Sequence, residues 1–156
     1  MLQQMVRAGR LERAFYTQLI FDSYATGNAV LVVGIAHLLR VLRFWPFFSL
    51  GLLLEALLEG LIGWILLALA VWLVGTKLLD GDAQLQTVIR LTGFAHVPLF
   101  AWILDLVIRP IALWIAVAWF AAAVLLATRV VLGTGDKDTL ISSGVGLLVW
   151  VVLVVF

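Results

Sequence analysis

The sequence has no cysteine and three prolines, and charged residues make up only 12% of its 156 positions. Without cysteine there are no disulfides, no thiolate metal ligands and no cysteine nucleophile, and nothing follows about redox compartment. Ordinary globular proteins are about 25% charged and about 45–50% apolar, whereas here hydrophobic residues reach 65%. A soluble fold of this length has too much surface to cover with so few charges. Disorder needs the opposite composition, low hydrophobicity with high net charge. The formal charge is +1, and eight Arg and two Lys are scattered rather than gathered in a stripe, which argues against nucleic acid as a partner. What remains is an integral membrane protein of single-domain length.

A transmembrane helix needs about 20 mostly apolar residues to cross a hydrocarbon layer about 30 Å thick. Charge-free stretches run over residues 23–39, 60–76, 110–128 and 139–156, and a shorter one over 91–104 extends both ways if Asp105 sits near a membrane face. They predict five spans, at about 25–42, 52–76, 88–109, 111–131 and 139–156. The runs are continuous and lack the alternation of outer-membrane barrels. The expected fold is therefore an all-α membrane protein. Its turns fall at Trp45-Pro46, at Asp80-Gly81-Asp82, at Pro110 and in the polar loop 133–138, with Pro46 and Pro110 placed where a helix ends or begins.

Residues 1–24 differ from the rest. Leu2, Met5, Ala8, Leu11, Phe15 and Leu19 recur at three- and four-residue spacing, with Arg7, Arg10 and Arg13 on other faces. This predicts an amphipathic helix lying at the membrane interface ahead of a five-helix domain over 25–156. It does not read as a secretory signal, because its charges are interspersed and no separate apolar run precedes a cleavage site. Seven basic residues (Arg7, Arg10, Arg13, Lys77, Arg90, Arg129, Lys137) fall on the N-terminal side of this topology and three (Arg40, Arg43, Arg109) on the other. That excess places the N-terminus in the cytoplasm and the C-terminus outside. Arginine's dominance over lysine points to a bacterial cytoplasmic membrane.

Ionisable groups in a bilayer are costly, about 2.5–3.5 kcal/mol or more at its centre, so each is a candidate site. Glu55 and Glu59 share one helical face at the outer end of the second span. They are expected to neutralise Arg40 and Arg43 across the first loop, the sharper alternative being a proton or cation site. Asp105 and Arg109, also four apart, read as a self-satisfied pair at the outer boundary. His37 and His96 are the only imidazoles, and no third ligand with metal-site spacing accompanies them. No catalytic, metal or cofactor motif is present. Pro98 cannot donate to the carbonyl of Phe94 and is expected to kink the third span, with Thr92, His96 and neighbouring helices available to satisfy the freed group. Trp45, Trp102 and Trp114 are placed as an outer aromatic belt. Small residues at Ser143-Gly144-Val145-Gly146 are expected to let helices approach closely.

The order of features over nearly the whole chain resembles the Yip domain family of Ypt/Rab-interacting membrane proteins. A lead-in and five closely spaced spans are joined by the polar turn Gly75-Thr76-Lys77-Leu78-Leu79-Asp80-Gly81. Leu91-Thr92-Gly93-Phe94-Ala95-His96-Val97-Pro98 is similar to the family's Gly-aromatic-x-x-x-Pro at the third span, with Gly93, His96 and Pro98 at the kink. Trp119 through Thr128-Arg129 is similar to its fourth span. The resemblance implies a five-helix membrane domain with a cytoplasmic N-terminus and no catalytic residue. The family's long cytosolic N-terminal region, with its acidic Asp-Leu-Tyr-Gly-Pro-type motif, is not in this sequence, so Rab-type GTPase binding is not expected to carry over. The expected function is non-catalytic: binding to lipid, to other integral membrane proteins or to itself, as an accessory or scaffold subunit or a membrane-organising Yip-like protein. The alternative is a small channel or transporter using the intramembrane carboxylates.

Overall fold

The computed structural model describes residues 1–42, 49–108 and 111–154. Among these there are helices and their connections and no strand. Helix α1 (Leu2–Gly9) and α2 (Arg13–Phe21) precede α3 (Ala25–Val41), α4 (Leu50–Leu73), α5 (Leu85–Phe94), α6 (Ile111–Leu132) and α7 (Asp136–Val154). A π-helical turn, Val74–Leu78, prolongs α4, and a 3-10 segment, Val97–Leu106, follows α5. Four stretches are long and apolar enough to cross a membrane: Leu50–Leu78, Leu85–Leu104, Ile111–Leu132 and Asp136–Val154. Helix α3, with 17 residues, is at the short limit of a span. The chain is an all-α membrane protein.

Local chemistry sets the helix ends. Ser49 caps α4, its Oγ accepting from the Leu52 amide at 3.1 Å, one of the donors that a helix start leaves without an internal partner. Gly133, at φ +63°, ends α6 in the left-handed conformation that costs glycine little. Asp136 and Asp138, expected in the loop, instead form the first turn of α7, where acidic side chains complement the helix dipole.

The third span is the central one, with 72% of its apolar window buried against 33–39% for the other three long spans. The expected kink takes the form of a change of helix type. The α-helix stops at Phe94 and a ten-residue 3-10 segment starts at Val97 with Pro98 in its first turn. Such segments seldom exceed 3–4 residues; here surrounding helices hold this one, burying Leu99 and Trp102. Thr92 and His96 do not serve the Phe94 carbonyl. The Thr92 hydroxyl donates to the Val88 and Ile89 carbonyls at 2.8 and 3.1 Å, and His96 Nδ1 lies 2.9 Å from the Thr92 carbonyl.

The amphipathic lead-in is two helices, not one. Leu11 adopts φ 57°, a left-handed turn uncommon outside glycine, and the chain reverses there. Contacts across the turn hold the two segments together, the Arg7 guanidinium donating to Glu12 and Gln18 and the Tyr16 hydroxyl to the Ala8 carbonyl, and Ala8, Phe15, Tyr16 and Leu19 are all buried in the core. Gly93 lets the central span meet α3, since a Cβ there would stand 2.6 Å from that of Ala29 and 3.0 Å from the Trp64 ring. Gly146 does the same for α7 against Val71 and Leu67 of α4, whereas Gly144 faces open space, so only part of the small-residue run serves close packing.

Candidate functional site

Of the sequence-predicted polar residues, Arg40 and Glu59 do meet. Arg40 comes from the last turn of α3 and Glu59 from the second turn and a half of α4. Its Nη1 and Nη2 donate to Glu59 Oε1 and Oε2 at 3.2 and 2.5 Å, and Nη1 donates to the Val154 carbonyl at 2.6 Å. That carbonyl is in the final turn of α7, where backbone acceptors have no helical partner and a cation is favoured. One guanidinium thus joins three helices, and it also lies 5.9 Å from the Trp102 ring centre. The side chains are 19% and 26% exposed, so the pair is shielded but not sealed. Glu55, one turn earlier, is exposed. Arg43, Trp45, Pro46, Arg109 and Pro110 lie outside the described residues, and with them the expected pairings of Glu55 with Arg43 and of Asp105 with Arg109.

Beneath this clamp is an aromatic cluster built from four parts of the chain: His37 (α3), His96 and Trp102 (the central span), Phe120 (α6) and Trp150 (α7). The imidazole centres are 5.8 Å apart, and Trp150 lies 6.4 Å from His37 and 6.3 Å from His96. His96 packs 4.7 Å from Phe120, and Trp102 stacks with Trp150 at 6.4 Å. Each Nδ1 faces the carbonyl four residues back, Val33 at 3.0 Å for His37 and Thr92 at 2.9 Å for His96. A carbonyl only accepts, which assigns the proton to Nδ1 and leaves Nε2 as a lone-pair atom. Gly60 admits the His37 ring, since a Cβ there would collide with it. Both Nε2 atoms and the Nε1 of Trp102 and Trp150 are buried without a protein partner among the described residues. The described residues hold no group of three His, Cys, Asp or Glu, and two imidazoles fall short of a tetrahedral metal site. Trp102, expected in the lipid-facing belt, is instead 5% exposed, while Trp114 is 70% exposed. The 3-10 twist of the central span turns Trp102 inward, which no local pattern announces.

Arg90 is the largest departure from expectation. Counted from the sequence among the charges of a loop side, it is 4% exposed. Its Nη1 donates to the carbonyls of Leu19 and Ile20 at 2.8 and 3.2 Å, and Nε donates to Thr26 Oγ1 at 3.2 Å. It therefore caps the C-terminal end of α2 and holds the N-terminal helices to the central span. Asn28 adds a bond from α3 to Gln4 of α1 at 3.1 Å. Arg7 is taken up within the lead-in, donating to Glu12 and Gln18 at 2.9 Å each. Arg10 and Arg13 are exposed. Between α1, the 3-10 segment and α6 these contacts leave an open apolar crevice of about 490 Å³, with Arg10 the one charged residue lining it among the described residues.

No family model, curated protein or solved structure matches the chain.

Proposed function

We propose that this is a non-catalytic multi-pass membrane protein that acts by binding lipid or other integral membrane proteins, as an accessory or membrane-organising subunit. The observation that carries the reading is the distribution of charge. The intramembrane-side charges Arg40, Glu59 and Arg90 are committed to internal helix-to-helix bonds, while Leu54, Leu58, Ile62, Leu148 and Val152 present apolar surface outward. Groups so engaged serve assembly rather than turnover, and the outward faces need lipid or protein to cover them. The Yip-like order of features favours the same class. The proposed topology has five crossings with a cytoplasmic N-terminus, in a bacterial cytoplasmic membrane.

The test is gentle solubilisation of the full chain followed by identification of what co-purifies, beside flux measurements in proteoliposomes. A stable partner or self-assembly, with no ion flux, is the expected result. A partnerless monomer whose proton or cation flux disappears in Glu59→Gln would overturn the reading in favour of a channel or transporter.

A further inference from the structure

The crevice beside α1 identifies one class of ligand. Its walls come from α1 (Met5, Val6, Gly9) and the central span (Val97, Pro98, Ala101), and its volume is about 490 Å³. Pockets of roughly 300–1,000 Å³ hold small ligands. Gly9 packs against the span, where a Cβ would meet Val97 at an ordinary contact distance of 3.4 Å, and Pro98 leaves a backbone position that donates no hydrogen bond. Among the described residues the walls are apolar apart from Arg10, and Arg13, exposed, follows three positions later in the chain. A partner's helix is about 10–12 Å across with its side chains, whereas a small crevice walled by three elements suits a single flexible chain.

We infer that this crevice holds one acyl chain of an anionic phospholipid, with the headgroup phosphate held by Arg10 and Arg13. The inference rests on the binding reading above and names one of its ligands. Arginine is suited to phosphate by its planar, always-charged fork, and basic residues at a membrane surface favour anionic lipid by about fivefold each. The N-terminal helices, fastened by Arg90, then act as the wall of a lipid site and not only as a surface float.

The full chain is reconstituted in equimolar palmitoyl-oleoyl phosphatidylglycerol and phosphatidylcholine, released in mild detergent and weighed intact by native mass spectrometry. The expected spectrum shows one retained lipid, phosphatidylglycerol over phosphatidylcholine by at least about fivefold. Arg10→Gln with Arg13→Gln, both at exposed positions, should erase that preference while some lipid is still retained. Val6→Trp, which fills the crevice from an exposed position on α1, should lower retention of both lipids. Equal retention of the two lipids by the unaltered chain, a preference that survives the double glutamine change, or retention indifferent to Val6→Trp would each overturn the proposal. Partner co-purification measured on the same samples separates this site from the wider reading: if it persists, only the lipid site falls.

Discussion

Arg40 and Glu59 illustrate how a single pair can be both legible and incomplete in a sequence. Their opposite charges across one short loop predict neutralisation, and the bidentate contact is there. The third partner, the Val154 carbonyl, is 114 positions away from Arg40 and no local pattern points to it. With both side chains part-shielded, the pair should contribute between the small value of an exposed ion pair and the 3–5 kcal/mol lost when a fully buried one is broken. Glu59→Ala is expected to lose about 1–2 kcal/mol and to lower Tm in detergent by roughly 3–6 °C. Arg40→Ala with Glu59→Ala should lose less than the sum of the single changes, since the pair is removed as a unit. Tyr16 supplies a pH dependence. Burial of its phenol in the N-terminal layer raises its pKa above the ordinary value. The folded state thus favours the neutral ring; its contribution is complete below about pH 10 and is lost as pH rises beyond that value. Thermal melts at pH 8 and pH 11 should show a loss of stability that is smaller in Tyr16→Phe.

At the level of elements, the spans were legible because lipid demands long uninterrupted apolar runs, and those runs end within a few residues of the observed helices. The lead-in was legible as amphipathic but not as a reversed pair, since nothing in the spacing of Leu2 to Leu19 requires the left-handed turn at Leu11. What holds that pair is Arg90, whose guanidinium supplies the donors for the shielded carbonyls at the end of α2. Leaving buried acceptors unsatisfied costs about 1–3 kcal/mol. Arg90→Met should therefore release α1 and α2 from the bundle: faster amide hydrogen exchange over residues 13–21, with little change in α4 and α7. Arg90→Lys should rescue only part of this, because an ammonium lacks the fork that spans two carbonyls and a hydroxyl.

For the whole molecule, topology is the property with the cleanest readout, because the absence of cysteine makes every introduced thiol unique. The proposed topology of five crossings puts the turns after α4 and after α6 on the N-terminal side. Asp82→Cys and Gly135→Cys are expected to resist a membrane-impermeant maleimide added to intact cells, and Ser49→Cys to react. Reversed labelling would mean the opposite orientation. The charge count that motivates this is narrower than it looks in the sequence. Arg90 is buried against α2 and offers little to a membrane surface, yet removing it still leaves six basic residues against three.

Composition and run length alone determined the solvent, the helical class and the approximate limits of the spans, because the requirement to satisfy every backbone group within lipid leaves few alternatives. The Glu59 partner was also within reach, being a local charge match. Only the tertiary structure decided the inward turn of Trp102, the meeting of His37 with His96, the reversal at Leu11 and the burial of Arg90. Each depends on which helices become neighbours and how each is rotated about its axis. Nearly uniform apolar faces do not encode that rotation. It is set by where Gly60, Gly93 and Gly146 permit close approach and by where a few long polar side chains find carbonyls far away in the chain.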